Sequence, residues 1–173
     1  STITLVLIAA AVMMFIETWR PGRRFPRVRG WWPRAVALNA VQAASVFVSA
    51  LTWDQWLPGL ALTDGGTWPF AFQVLAGYVL ITFVYYWWHR ARHEVGFLWR
   101  WFHQVHHSPA RIEVITSFYK HPFEILANGF LSAFIVHVLL GISPAAAAVT
   151  VLATGVAELF YHWNVRTPYW LGF

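Results

Sequence analysis

Five long apolar stretches limit this chain to a helical membrane protein. Crossing about 30 Å of hydrocarbon takes roughly 20 helical residues, and the stretches of about this length are residues 3–19, 35–53, 69–88, 123–140 and 144–163. Only 11% of the residues are charged, which is less than half of the roughly 25% typical of soluble domains. The pattern predicts an all-α integral membrane protein with about five transmembrane helices. Short cytoplasmic helices are expected between them.

Basic residues predict how these helices are oriented. The loop between the first two stretches carries six arginines, and loops rich in Lys and Arg stay in the cytoplasm. The first stretch has basic residues only after it, so we expect an amino-out anchor rather than a cleaved signal peptide. Alternation then places every basic side chain inside: Arg20, Arg23, Arg24, Arg27, Arg29, Arg34, Arg90, Arg92, Arg100, Arg111, Lys120 and Arg166. This topology explains the positive charge without nucleic acid, and we expect the protein in a bacterial inner membrane.

Seven of the eight histidines fall on this expected cytoplasmic side. Two of them are spaced four residues apart, which places them on one helical face, and three more lie within five residues. The seven are His89, His93, His103, His106, His107, His121 and His162. Neutral imidazole is the commonest protein metal ligand, and the chain has no cysteine. The pattern predicts a site for iron, zinc or copper, and more than four converging histidines indicate two metals.

Simpler interpretations remain open for some of these residues. Interfacial histidines also anchor to lipid headgroups, and His121 fits that role as well as a ligand role. His137 lies deep in a predicted span, and we expect it to be structural and hydrogen-bonded within the bundle. Glu158 fits equally well as a partner of an arginine.

Four motifs resemble the fatty acid hydroxylase/sterol desaturase superfamily. They are "HRARH", "HQVHHS", "SFYKHPFE" and "FYHWNV", and with the surrounding spans the resemblance covers roughly residues 69–173. It implies a membrane oxygenase with a histidine-ligated di-iron centre on the cytosolic face, which uses O2 and two electrons to hydroxylate or desaturate a lipid. The implied metal ligands are His89, His93, His103, His106, His107, His121 and His162. The family pattern continues with a third H-x-x-H-H box, and the sequence given stops at Phe173, before that box.

Further residues are candidates for supporting roles in such a centre. Ligating histidines usually donate their second N–H to an acceptor, and Glu124, Glu158 and Asn164 are spaced to provide acceptors. The aromatic run at residues 83–88 predicts a lipid tunnel lined by Tyr85, Tyr86 and Trp88, with helix packing as the simpler interpretation. No cofactor-binding fingerprint is visible, so electrons are expected from a reductase, ferredoxin or cytochrome partner.

We expect one membrane domain over residues 1–173, with a two-span region at 1–68 and a histidine-box core at 69–173. The favoured function is O2-dependent lipid hydroxylation or desaturation. The alternative is a non-catalytic subunit of a larger membrane complex, built on a degenerate hydroxylase scaffold. Sterols, fatty acyl chains, carotenoids and alkyl lipids all remain open as substrates, and zinc remains open beside iron as the metal of the isolated protein.

Overall fold

The computed structural model describes the backbone of residues 2–171 and the side chains of residues 4–170, and this part contains no strand. Its long helices are α1 (Thr2–Trp19), α2 (Trp31–Leu51), α3 (Phe70–Glu94), α4 (Pro122–Ala133) and α5 (Pro144–Tyr161). A π-helical segment, Phe134–Leu139, continues α4. The all-α membrane fold class is confirmed.

Within the described residues, four helical segments are long and apolar enough to cross a membrane: Trp31–Leu60, Phe70–Glu94, Pro122–Leu139 and Pro144–Tyr161. The first apolar helix, Thr4–Trp19 over its described side chains, is shorter than these four, so a fifth span stays a prediction. The helix Phe70–Glu94 runs six residues beyond the predicted end at residue 88, and the "HRARH" motif therefore belongs to the helix itself.

The core forms where α3 lies against α5 and the π-helical segment. Ile81, Ile135 and Ala146 are among its buried residues. Gly77 faces Thr150 so closely that a Cβ atom there would lie 2.9 Å from the threonine side chain. Because small residues let helix backbones approach, this contact holds α3 and α5 close along their length.

At one end of the bundle, a loop packs tightly onto the turn before α5. Gly141 has a φ of 51°, and a Cβ atom on it would lie 2.1 Å from the Thr63 carbonyl oxygen. Pro144 then starts α5, and the Ser143 hydroxyl accepts a hydrogen bond from the Ala146 amide. Nearby, His137 Nε2 lies 3.9 Å from Asp54 Oδ1, which places this histidine far from the other motifs.

At the opposite end, the arginine-rich loop and the histidine-bearing segments meet. The buried Glu17 carboxylate of α1 accepts hydrogen bonds from the amides of Val114 and Asn164. The Trp31 indole donates to Glu113 at 2.8 Å, and Arg111 binds both oxygens of the same carboxylate. The first two helices are therefore tied to the histidine-bearing part by buried polar contacts, and the proposed boundary at residue 68 stays a prediction.

Candidate metal centre

The first pair of histidines lies on the last turns of α3. His89 and His93 are one helical turn apart, and their Nε2 atoms are 2.9 Å apart. The helix ends at Glu94 because Val95 adopts an extended conformation. The chain then folds back through short helices and brings the second motif under the first.

The second motif sits on a π-helical turn followed by a short α-helix, Trp99–His103 and Gln104–His107. His103 and His107 again share one face, with their Nε2 atoms 3.1 Å apart. Single π-turns occur frequently at functional sites. Here the turn directs the fully buried His103 ring toward the last turns of α3.

These two pairs form one group of four imidazoles, His89, His93, His103 and His107. One nitrogen from each ring lies within 4.8 Å of the others. The ring centroids of His89 and His103 are 4.7 Å apart, and those of His93 and His107 are 4.6 Å apart. Four nitrogens at this separation can surround a single cation after small side-chain movements.

A second group contains His106, Glu158 and His162, whose ligand atoms also lie within 4.8 Å of one another. His106 Nε2 is 3.4 Å from His162 Nε2, although the residues are far apart in sequence. The centroid of the His106 ring lies 5.5 Å from that of the His103 ring and 5.2 Å from that of the His107 ring. The two groups therefore adjoin, as a two-metal centre requires.

Hydrogen bonds at Nδ1 orient three of the rings. His103 Nδ1 donates to the Glu124 carboxylate at 3.2 Å, His106 Nδ1 to the Tyr119 carbonyl at 3.2 Å, and His162 Nδ1 to the Glu158 carbonyl at 2.9 Å. An acceptor at one ring nitrogen leaves the lone pair on the other. Each Nε2 therefore presents a lone pair toward its neighbours, which is the arrangement found around bound metals.

The environment of His106 and His107 keeps these two rings neutral. Burial, followed by the positive charge of Lys120 and the neighbouring His162 ring, lowers the pKa of His106 to about 2. Burial, together with the neighbouring His103 and His93, lowers the pKa of His107 to about 4. Both rings are therefore uncharged at pH 7 and available as metal ligands, since only neutral imidazole binds a metal.

A buried ion pair supports the four-histidine group. The Arg92 guanidinium donates to the Glu124 carboxylate, and the two side chains are 4% and 1% exposed. Glu124 thus connects Arg92 to the His103 ring. Arg92 also lies beside His89, with Nη2 3.5 Å from Nδ1. Sequence reasoning missed Arg92, although its position three residues after His89 placed it on the same helical face.

Three predicted site residues make other contacts in the structure, and their predicted roles stay predictions. The structure does not bring His121 into either group of described ligand atoms, and the His121 Nδ1 atom accepts a hydrogen bond from the Phe123 amide at the start of α4. Asn164 instead binds the backbone of Arg23 through both ends of its amide. Glu158 accepts from Lys120 Nζ at 2.6 Å, and its backbone carbonyl rather than its carboxylate orients His162.

The predicted tunnel residues occupy different environments. The Tyr85 hydroxyl donates to the Asn128 carbonyl at 2.6 Å, and the Trp88 indole donates to the Asn128 side chain at 2.9 Å. Tyr86 is 59% exposed and faces outward. A small apolar cavity beside Glu124 is lined by Trp88 but by neither tyrosine. Tyr85 therefore joins α3 to α4, and Trp88 lines this cavity.

Comparison with known proteins connects these motifs to a family. The fatty acid hydroxylase family model matches residues 74–173, the range that contains both groups. An ornithine lipid hydroxylase of Rhizobium tropici is 32% identical over 129 residues, which cover 68% of this chain and 37% of that protein. A very-long-chain aldehyde decarbonylase of Oryza sativa subsp. indica is 48% identical over 58 residues, which cover 34% of this chain and 21% of that protein.

A cholesterol 25-hydroxylase-like protein of Danio rerio is 33% identical over 98 residues, which cover 56% of this chain and 38% of that protein. The matches thus span between about a fifth and two fifths of these relatives. No solved structure matches the chain. Since the family model covers more than half of the residues and includes both histidine groups, the chain belongs to the fatty acid hydroxylase family.

Proposed function

We propose that this chain forms the metal-binding part of a membrane enzyme that hydroxylates or desaturates a lipid with O2, using a di-iron centre at the cytoplasmic face. The observation that carries the proposal is the convergence of six imidazoles from three segments of the chain. Three of them have an acceptor at Nδ1. Structural histidines scattered at a membrane interface have no reason to share this arrangement.

The donor set fits a first-row metal. Nitrogen ligands with nearby carboxylate and no sulfur suit iron or zinc, and the second hydrogen bond of each oriented ring is of the kind that raises ligand basicity. A bound iron pair would supply O2 activation and the removal of hydrogen from an unreactive C–H bond. We assign His89, His93, His103 and His107 to one cation, and His106 and His162 to the other.

The chain's own residues would hold this centre in shape. Glu124 and the Tyr119 carbonyl fix the orientation of His103 and His106, and Arg92 balances the buried Glu124 charge. His93 and His107 are exposed, so the four-histidine group has an open side. A third H-x-x-H-H box, which the family resemblance implies, would add ligands there.

The substrate class follows from the surroundings of the centre and from the relatives. The histidine groups lie at the end of helices apolar enough to cross a membrane, so an apolar chain in the bilayer would reach them without crossing water. The names of the relatives refer to an ornithine lipid, cholesterol and very-long-chain aldehydes. We propose a membrane lipid as substrate and a separate reductase, ferredoxin or cytochrome as electron donor. The expected setting is a bacterial inner membrane with the amino terminus outside.

Metal analysis of the purified full-length gene product tests this function. We expect about two metal ions per chain, as two adjoining ligand groups require, and a loss of metal in His106→Ala. His137→Ala is the matched control, because His137 lies beside Asp54 away from both groups, and it should keep the full metal content. Less than about one metal per chain in the parent, with unchanged content in His106→Ala, would defeat the proposal. O2-dependent oxidation of added membrane lipids, followed by mass spectrometry, then tests the reaction itself.

A further inference from the structure

The two ligand groups differ in composition. The first contains imidazoles only, whereas the second combines His106 and His162 with the carboxylate of Glu158. Carboxylate and imidazole ligands together form a harder site than imidazoles alone. The difference matters because the two sites of such a centre would then carry unequal ligand charge and would bind their cations with unequal affinity.

Local helix geometry brings the carboxylate to this site. Glu158 and His162 are four residues apart at the end of α5, so their side chains share one face. The His162 ring is fixed by its Nδ1 bond to the Glu158 carbonyl at 2.9 Å. The same turn of helix therefore presents an oriented imidazole and a carboxylate toward His106.

Lys120 is the residue that could make Glu158 merely structural. Its buried Nζ lies 2.6 Å from Glu158 Oε1, and an ion pair alone would explain both side chains. A carboxylate, however, has two oxygens and about four lone-pair sites. It can therefore accept from Lys120 and bind a cation at the same time.

We propose that Glu158 is a ligand of the second cation, so that the centre pairs a four-imidazole site with a mixed imidazole–carboxylate site. The inference rests on the two-cation centre proposed above and specifies its second half. Lys120 acts as the positioning residue of this carboxylate. Glu158 then belongs to the metal centre rather than to the contacts that stabilise the helix bundle.

Metal stoichiometry of Glu158→Gln tests the assignment directly. Glutamine keeps the shape and removes the charge, so we expect the variant to lose about one equivalent of metal and keep the other. Glu94→Gln is the matched control, because Glu94 is an exposed carboxylate paired with Arg90, and it should keep both equivalents. Co²⁺ loading gives a second readout. The absorption bands of the second site should disappear in Glu158→Gln and remain in Glu94→Gln. Full metal content with unchanged Co²⁺ bands in Glu158→Gln would overturn the proposal.

A double variant distinguishes a ligand from an ion-pair partner. If Glu158 served only to neutralise Lys120, the double variant Lys120→Met/Glu158→Gln would remove both charges and recover full metal content. A ligand role predicts that the double variant still lacks one equivalent, so recovery of both equivalents would refute it. A variant that fails to fold would lose both equivalents, and the Co²⁺ bands of the four-imidazole site identify the folded protein.

Failure of this inference can be separated from failure of the proposed function. His93→Ala removes a ligand of the four-imidazole site only, and it should lose the equivalent that Glu158→Gln retains. Absence of metal from the parent protein refutes the di-iron function as a whole. Two equivalents in Glu158→Gln, with metal loss in His93→Ala, refutes only the role of Glu158.

Discussion

Replacing Arg92 by methionine should destabilise the protein far more than the same change at Arg90, two residues away on α3. Arg92 and Glu124 form an ion pair whose side chains are 4% and 1% exposed. Arg90 pairs with Glu94 at side-chain exposures of 51% and 61%. The two variants remove the same charge from the same helix, so they differ mainly in how far water screens the pair.

The magnitude follows from the burial of Glu124. Two unit charges about 4 Å apart attract by about 4 kcal/mol at an effective dielectric constant of about 20. Removing one partner of a buried pair costs about 3–5 kcal/mol, because the other charge is left without compensation. After Arg92→Met, the remaining donor to the Glu124 carboxylate is His103 Nδ1. We therefore expect a loss of about 3–5 kcal/mol for Arg92→Met and a much smaller effect for Arg90→Met.

The free energy of unfolding, measured in detergent for both variants in the same metal state, tests this expectation. The double variant Arg92→Met/Glu124→Gln removes both charges and keeps an acceptor for His103. It should recover at least half of the loss, with a coupling energy above about 1.5 kcal/mol. Similar losses for Arg92→Met and Arg90→Met, or a double variant as unstable as the sum of the single changes, would refute the reasoning.

Three further predictions concern the ends of the bundle and the metal. Gly141→Ala should destabilise more than Gly30→Ala in thermal unfolding, because both have positive φ but only Gly141 has a backbone oxygen where the Cβ atom would lie; equal losses would show that left-handed strain alone decides. Glu17→Leu should cost about 1–3 kcal/mol and speed hydrogen exchange at the Val114 amide, which Glu17 accepts at 3.1 Å; unchanged exchange would contradict that role. Chelation should lower the free energy of unfolding by about 2.7 kcal/mol if the free metal concentration had been near 100 times its Kd. An unfolding midpoint that changes neither on chelation nor on readdition of metal would argue against bound metal in the folded state.

The spacing of residues along the sequence was enough to predict the paired histidines. A helix places residues four apart on one face whatever surrounds it, so the pairs His89/His93 and His103/His107 could be predicted from their numbers alone. The same local geometry, with the prediction that ligating rings need acceptors, suggested Glu124 through its spacing from His121. In the structure its carboxylate instead lies 3.2 Å from His103 Nδ1, and its supporting role stays a prediction. The apolar stretches likewise predicted the membrane helices, because hydrocarbon thickness sets their length.

Only the tertiary structure decided which of these local units meet. The contact of His106 with His162, the pairing of Arg92 with Glu124, and the bond between Lys120 and Glu158 depend on how the helices pack and rotate about their axes. The spacing of residues within one helix carries no information about the rotation of another. For the same reason the sequence could not show that His121 lies at the start of α4, where its Nδ1 accepts from the Phe123 amide, outside both groups of described ligand atoms. Its ligand role stays a prediction.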